Sequence, residues 1–283
     1  TDVMVEDVHF RRATTPMRDL GHKALAVNLS DLAAMGADPR AALVGLVVPP
    51  GGLEVADHDA LRAGMDELAG AHGVTIAGGD LTSGPAIVLA VTAVGVLDDP
   101  ASAVTRTGAV DGDVLAVTGP IGGAAAGLAL LDDRIAPPEA ASAAALVDAH
   151  RRPVSRVGFG RALRRTGAHA MLDCSDGLIV DAGRMASASG VQLEVALEAV
   201  PLAPGVARVA AALGREADLF AATGGDDYEL IVAIAPADVP RARAAGVELH
   251  LVGHVRAGGP SLTLARHGRT VETPAHPGWV HDV

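Results

Sequence analysis

Apolar positions recur along this chain with the two spacings that separate strands from helices. Residues 1–10 carry Val3, Val5 and Val8 among polar neighbours, the alternation of a strand. After a loop through Pro16, Leu20 to Met35 is rich in Ala and Leu and stops at Gly36 and Pro39, which predicts a helix. Ala41 to Val48 is a continuous apolar run and predicts a buried strand. Glu54 to His72 sets Leu61, Met65 and Leu68 on one helical face, a core stripe. Val74–Ile76 and Ala86–Val96 read as strands on either side of a glycine-rich turn at 78–84.

Asp98-Asp99-Pro100 reads as a turn and as the boundary between two domains, 1–100 and 101–283. Beyond it, Val114–Val117 is a short strand and Gly119 to Gly127 a glycine-rich strand-to-helix junction. Pro138–Ala149 and Ser155–Arg165 read as helices. A strand then delivers Asp173, and a helix runs to about Ser189. Residues 191–235 read as two strands around a helix, the second being Leu230–Ile234, and the tail alternates helix and strand. The pattern predicts an α/β fold of α+β layers, a sheet-plus-helices domain followed by a C-terminal α/β domain.

Composition narrows the chemistry. Apolar residues make up 49 % of 283, ample for a large core, but only 2 % are aromatic, so Ala, Val and Leu must build it. No apolar run reaches the roughly 18 residues of a membrane span. Cys174 is the one cysteine, which excludes an intramolecular disulfide and a cysteine-based zinc site. No signal peptide is read in residues that open on Thr1, and a cytoplasmic location is expected. The net charge of −12 argues against nucleic acid as a partner. Lys23, the only lysine, lies in no P-loop, and no dinucleotide fingerprint is present. Phosphate would therefore be handled by metal, arginine and backbone N–H groups.

Acidic residues recur at element junctions. Gly78-Gly79-Asp80 heads the Gly78–Gly84 turn, and similar junctions stand at Asp2, Asp31, Asp173/Asp176 and Asp226/Asp227. They read as carboxylates gathered to hold Mg²⁺ and a nucleotide. Asn28, Ser30 and Asp31 lie mid-helix among apolar neighbours, where each needs a hydrogen bond or a metal. Asp173 and Asp176 would repel each other unless a cation compensates; Ser175 is placed to cap the following helix. The 119–127 glycines either face an anion or pack closely. Arg151-Arg152-Pro153 reads as solvated surface, Cys174 as core, Asp2 and His9 as strand polars, and Trp279 as a chain-end hydrophobic staple. Ser30-Asp31 precedes Gly78-Gly79-Asp80 at nearly the interval by which Ser175-Asp176 precedes Gly224-Gly225-Asp226, a hint that each half supplies part of one site.

The ordered motifs Thr-Asp-x-Met-Val-Glu-x-Val-His-Phe (1–10), Gly-x-Lys-Ala-Leu-Ala-Val-Asn-Leu-Ser-Asp-Leu-Ala-Ala-Met-Gly-Ala-x-Pro (21–39), Gly-Gly-Asp-Leu-Thr (78–82), Thr-Arg-x-Gly-Ala (105–109), Asp-x-Ser-Asp-Gly-Leu (173–178), Gly-Gly-x-Asp-Tyr-Glu-Leu (224–230) and the late Gly-Trp resemble those of thiamine-monophosphate kinases. That family belongs to the ATP-dependent superfamily typified by aminoimidazole ribonucleotide synthetase. The resemblance implies a two-domain fold of that type and a homodimer, with ATP and several Mg²⁺ ions held between the domains. The reaction implied is direct in-line transfer of the γ-phosphoryl of ATP to thiamine monophosphate. By resemblance, Thr1, Asp2, Asp31, Asp80, Asp173 and Asp176 ligate metal. Gly79, Asp80, Arg106 and Ser175 contact ATP, and His9, Asp226 and Trp279 touch the substrate. Asp80, Arg106 and Asp176 are the catalytic expectations, Arg106 for transition-state charge.

Three departures stand out. The family's Gly-Asp-Asp segment, with a further metal ligand, would precede Thr1. Position 226 is Asp where Glu is common, and the chain ends Trp-Val-His-Asp-Val. The rival readings are another enzyme of the superfamily, of the aminoimidazole ribonucleotide synthetase or hydrogenase-maturation type, and a non-catalytic Mg-ATP-binding paralogue.

Overall fold

The computed structural model describes residues 1–137 and 139–279. Pro138, where the sequence starts a helix, and the ending beyond Trp279 lie outside the described residues. The first half forms a four-stranded sheet under two helices. Strands β1 (Asp2–Val5), β2 (Asp38–Val48), β3 (Thr75–Ser83) and β4 (Val88–Val96) stand in the order β1-β4-β2-β3. β2 and β3 run parallel; the other pairs are antiparallel. Helices α1 (Met17–Ala34) and α2 (Val55–His72) cover one face. They approach closely because glycine faces backbone at both crossings. A Cβ on Gly21 would lie 1.9 Å from Leu61 O, and one on Gly64 1.8 Å from Arg18 O.

The other face of this sheet is open, exposing Val3, Leu43, Val94 and Val96. The buried strand expected at 41–48 is therefore a half-exposed one, since apolar residues on both sides of β2 produce a continuous run without a second covering layer. The turn expected at 78–84 is also corrected, because Gly78, Gly79 and Asp80 lie inside β3. A Cβ on Gly79 would sit 1.9 Å from Val44 O, so these glycines serve strand approach rather than chain reversal. The strand read across 1–10 stops at Val5, where Asp7 (φ 65°) turns the chain.

The second half carries β5 (Val114–Val117), β6 (Ala168–Asp173), β7 (Gln192–Ala196), β8 (Leu230–Ile234), β9 (His250–Arg256), β10 (Ser261–Arg266) and β11 (Arg269–Val271). Their order is β11-β10-β7-β9-β5-β8-β6, with only β10–β7 parallel. The helices are α3 (Gly123–Leu131), α4 (Ala140–Arg151), α5 (Val157–Thr166), α6 (Leu178–Ser189), α7 (Val206–Ala212), α8 (Ala217–Thr223) and α9 (Val239–Ala244). α7 and α8 stand where one helix was expected between the strands. The mixed α/β class follows as predicted.

β8 is buried at every position because its two faces serve different cores. Leu230, Val232 and Ile234 join a cluster with Leu25 and Leu29 of α1, whereas Ile231 and Ala233 pack with Leu115 and Leu172 on the far side. Helix α1 thus lies between the two sheets, and this brings its buried polar residues Lys23, Asn28 and Ser30 to the site.

Candidate active site

A cavity of about 780 Å³ opens where β1 and its following loop, α1, α3 and the loops after β6 and before β8 converge. Of the expected residues, Thr1, Asp2, His9, Ser175, Asp176, Asp226 and Trp279 line it. They come from both halves of the chain. Thr1 Oγ1 donates to Val91 O at 2.9 Å, and the Asp2 N–H donates to Asn28 Oδ1 at 3.1 Å. Asn28 Nδ2 in turn donates to Ala24 O, so the buried amide ties β1 to α1. His9 Nδ1 accepts the Val5 N–H at 3.0 Å, which places the neutral ring's proton on Nε2.

Behind the cavity the carboxylates crowd. Ser30 Oγ donates to Asp173 Oδ2 at 2.7 Å, both groups being buried. Burial, and then the Asp31 charge, pushes the Asp173 carboxyl up to about 7. Burial also raises Asp31, with Asp2 adding and Arg106 opposing. Asp2 is raised by burial too, with Asp176 and Asp226 contributing. Mutual repulsion among hard oxygen donors is the electrostatic condition a divalent cation relieves. Among the described residues, no three His, Cys, Asp or Glu side chains already stand in a closed ligating group.

The capping expected of Ser175 is not found, because Gly177 stands at the start of α6 without a side-chain cap. Asp181 in the first turn instead ties the preceding loop to the helix, accepting the Asp176 N–H at 2.9 Å. Burial pushes its carboxyl up to about 6, although the hydrogen bond opposes this. Arg184 spans Asp176 Oδ2 at 2.5 Å and Asp181 Oδ1 at 2.6 Å. Cys174 is fully buried, and burial raises its thiol well above the ordinary value, which fits core and not nucleophile.

Gly79, Asp80 and Arg106 do not line the cavity. Gly79 shares a cross-strand row with Asp2, through Val91 and Val44. Three strand spacings put the two about 14 Å apart. Asp80 projects from the exposed edge strand. Arg106 is exposed near Asp31, and its carbonyl accepts from Ser189 Oγ at 3.2 Å.

The glycines at 119–127 serve both purposes left open. Gly122 N–H and Ala124 N–H donate to Asp227 at 2.7 and 3.2 Å, so the anion at this helix start is the chain's own carboxylate. A Cβ on Gly127 would meet Leu146 O at 2.0 Å, so α3 and α4 need it for packing. Burial pushes Asp227 up to about 7 despite those two donors. Arg151 and Arg152, expected to be solvated, are half-buried instead. Arg151 donates to Thr14 O, and Arg152 bridges Asp19 and Glu67. Trp279 is not a buried staple, since 48 % of it is exposed at the cavity. Its N–H donates to Asp176 O at 3.0 Å, and Gly278 permits the approach.

Residue-type reasoning missed Lys23, His150 and Asp181 as parts of this site, and it read Asp227 as a ligand-holding carboxylate where the chain uses it to clamp the start of α3. A single lysine inside an Ala/Leu helix was the one available signal. Lys23 Nζ donates to Asp226 Oδ2 at 2.7 Å, and Tyr228 Oη donates to Oδ1 at 3.0 Å. Burial alone would raise the Asp226 carboxyl, but Lys23, His150 and the Tyr228 hydroxyl hold it below the usual carboxylate range.

Two domain families match the chain, the AIR synthase related protein N-terminal domain over residues 1–97 and its C-terminal counterpart over 110–264. Thiamine-monophosphate kinase of Mycobacterium tuberculosis is 40 % identical over 82 % of this chain and 68 % of its own length. The Bacillus subtilis enzyme of that name is 34 % identical over 99 % and 86 %. A solved structure of AaThiL complexed with AMPPCP and TMP is 30 % identical, with a TM-score of 0.86 over 98 % of this chain and 85 % of that one. A solved structure of E. coli HypE shares the fold alone, at 24 % identity and a TM-score of 0.79 over 98 % of this chain and 85 % of that one.

Proposed function

The chain belongs to the thiamine-monophosphate kinase family of AIR synthase related proteins, and we propose that it phosphorylates thiamine monophosphate with ATP, giving thiamine diphosphate and ADP. The observation that carries this reading is one cavity, lined from both halves of the chain, with an aromatic ring, a carboxylate and an imidazole on its wall and crowded carboxylates behind it. Trp279 offers a flat face to the substrate's ring, while Asp226 and His9 offer polar partners. Ser175, Gly79, Asp80 and Arg106 hold ATP.

A phosphate oxygen of thiamine monophosphate attacks the γ-phosphorus in line as the bond to the β-phosphate oxygen breaks, and ADP leaves. The acceptor is already ionised at neutral pH, so no strong base is needed, and catalysis rests on placement and charge. Arg106 is the guanidinium assigned to charge developing on the transferring group. Thr1, Asp2, Asp31, Asp80, Asp173 and Asp176 would hold Mg²⁺. The fit is supported by the carboxyls that burial and mutual repulsion raise at Asp2, Asp31 and Asp173. When bound, Mg²⁺ neutralises the phosphate oxygens against an acidic protein.

A homodimer and a cytoplasmic location complete the proposal. The open apolar sheet face with Val3, Leu43, Val94 and Val96 supports the first. No helix among the described residues is long and apolar enough to cross a membrane.

The test is incubation with Mg-ATP and thiamine monophosphate, following thiamine diphosphate by chromatography, with Asp80→Asn alongside. Product from the wild type and a large loss in the variant support both reaction and metal role. ATP binding without product would sink the kinase reading.

A further inference from the structure

Lys23 is the only lysine in the chain, and it is not at the surface. It lies in the middle of α1 with 2 % exposed, among Leu20, Ala24 and Val27. Burying an ammonium costs several kcal/mol unless its partner compensates, so an apolar residue would serve packing here more cheaply. Its partner, Asp226, lies 203 positions away in the loop before β8. That loop is held against its own preference. Asp226 (φ 67°) and Tyr228 (φ 53°) are left-handed non-glycine residues, each costing roughly 1 kcal/mol or more. Asp226 N–H to Ser175 O, Tyr228 N–H to Cys174 O and the Asp227 clamp on α3 keep it there.

The result is a carboxylate gripped from behind and open in front. Lys23 takes one lone pair of Oδ2 and Tyr228 one of Oδ1. Each oxygen of an ionised carboxylate can accept twice, so both keep an acceptor site. Asp226 retains 35 % of its side-chain surface and lines the cavity. His150 also lines the cavity, and burial followed by the Lys23 charge holds its imidazole down to about 4. It is therefore neutral, which leaves Lys23 as the cation balancing Asp226.

We propose that Lys23 is a positioning residue that, together with Tyr228, aims the Asp226 carboxylate into the cavity as the hydrogen-bond acceptor for N–H donors on the ring portion of the acceptor substrate. This rests on the kinase reading. Lys23 sets the affinity for thiamine monophosphate through Asp226 and has no part in holding ATP or in the transfer step.

The experiment is a two-residue cycle of Lys23→Met, Asp226→Asn and the double variant, with KM for each substrate, kcat, and thermal melting. Lys23→Met should raise KM for thiamine monophosphate at least tenfold, equivalent to about 1.4 kcal/mol. KM for ATP and kcat should stay within about threefold. In the double variant the Met should add less than about threefold to the Asp226→Asn effect, because the lysine acts through that carboxylate. If Lys23→Met fails to fold, the comparison of Asp226→Asn with the double variant still tests the inference. The double variant buries no unpaired charge at this pair, and the asparagine of the single variant can still accept from Lys23. A further loss above about threefold in the double variant would overturn the inference. Independent, multiplying effects of the two substitutions would overturn the inference, as would a loss confined to kcat or to KM for ATP. Absence of wild-type turnover would instead remove the kinase reading, and this inference with it.

Discussion

Replacing Asp173 by Asn should stabilise the metal-free protein at alkaline pH while removing most of its stabilisation by Mg²⁺. Asp173 is 9 % exposed, and burial with the Asp31 charge lifts its carboxyl from an ordinary 3.8 to about 7. Between those values the folded chain keeps a proton that the unfolded chain has released. Its contribution is therefore complete below about pH 4 and is lost as pH rises to about 7, at about 1.4 kcal/mol per unit. The full span is roughly 4 kcal/mol for this group, and above it the loss is flat. Asparagine does not titrate, and its Oδ1 can still accept from Ser30. The variant should gain on the wild type through this window, by roughly 2 kcal/mol or more at about pH 8 once relaxation is allowed for. Mg²⁺ at a hundredfold over its Kd would return about 2.7 kcal/mol to the wild type and less to the variant. Urea unfolding followed by far-UV circular dichroism, at about pH 5 and about pH 8 with EDTA or Mg²⁺, reads all the terms. A variant destabilised equally at both pH values in EDTA would refute the reasoning and make Asp173 only a hydrogen-bond acceptor for Ser30.

His150 works in the opposite direction. Burial, then Lys23, lowers its imidazole from 6.5 to about 4, so its contribution is present above about pH 6.5 and lost as pH falls to about 4. His150→Gln should flatten that acid limb in thermal melts, whereas an unchanged limb would mean the imidazole takes up its proton without cost. Cys174, fully buried with its thiol raised, should react with a thiol reagent only after denaturant is added, and rapid labelling of the folded protein would contradict its placement. Gly79→Ala would drive a methyl into Val44 O, so β2 and β3 must part. A loss of roughly 3 kcal/mol and early amide exchange along β3 are expected, and a neutral variant would mean that strand is misplaced.

The element pattern was legible wherever one physical cause dominated. Val114–Val117 and Leu230–Ile234 are short apolar runs whose two faces both meet core, and their observed bounds are those read from the chain. The helix around Leu61, Met65 and Leu68 follows from a stripe with one buried side, and its start is secured by the Glu54–Asp57 capping box. Gly78-Gly79-Asp80 misled because glycine permits both a turn and a close strand approach, and only the position of Val44 O selects between them. The Ser175 cap failed because α6 starts at Leu178 with Gly177 at its N-cap position, which leaves Ser175 two residues too early in the loop that Asp181 ties to the helix through the Asp176 N–H.

The sequence by itself determined which residues could carry charge-rich chemistry. A scarcity of lysine, a surplus of aspartate at element ends and polar residues inside an Ala/Leu helix all follow from composition and local pattern. It could not determine which of them meet. Lys23 reaches Asp226 across 203 positions, and Ser30 reaches Asp173 across 143, because α1 lies between the two sheets and presents its buried polar groups to the second half. Pairings of that range leave no periodicity in either segment. They depend on a helix being covered on several sides at once, and only the packed chain decides that.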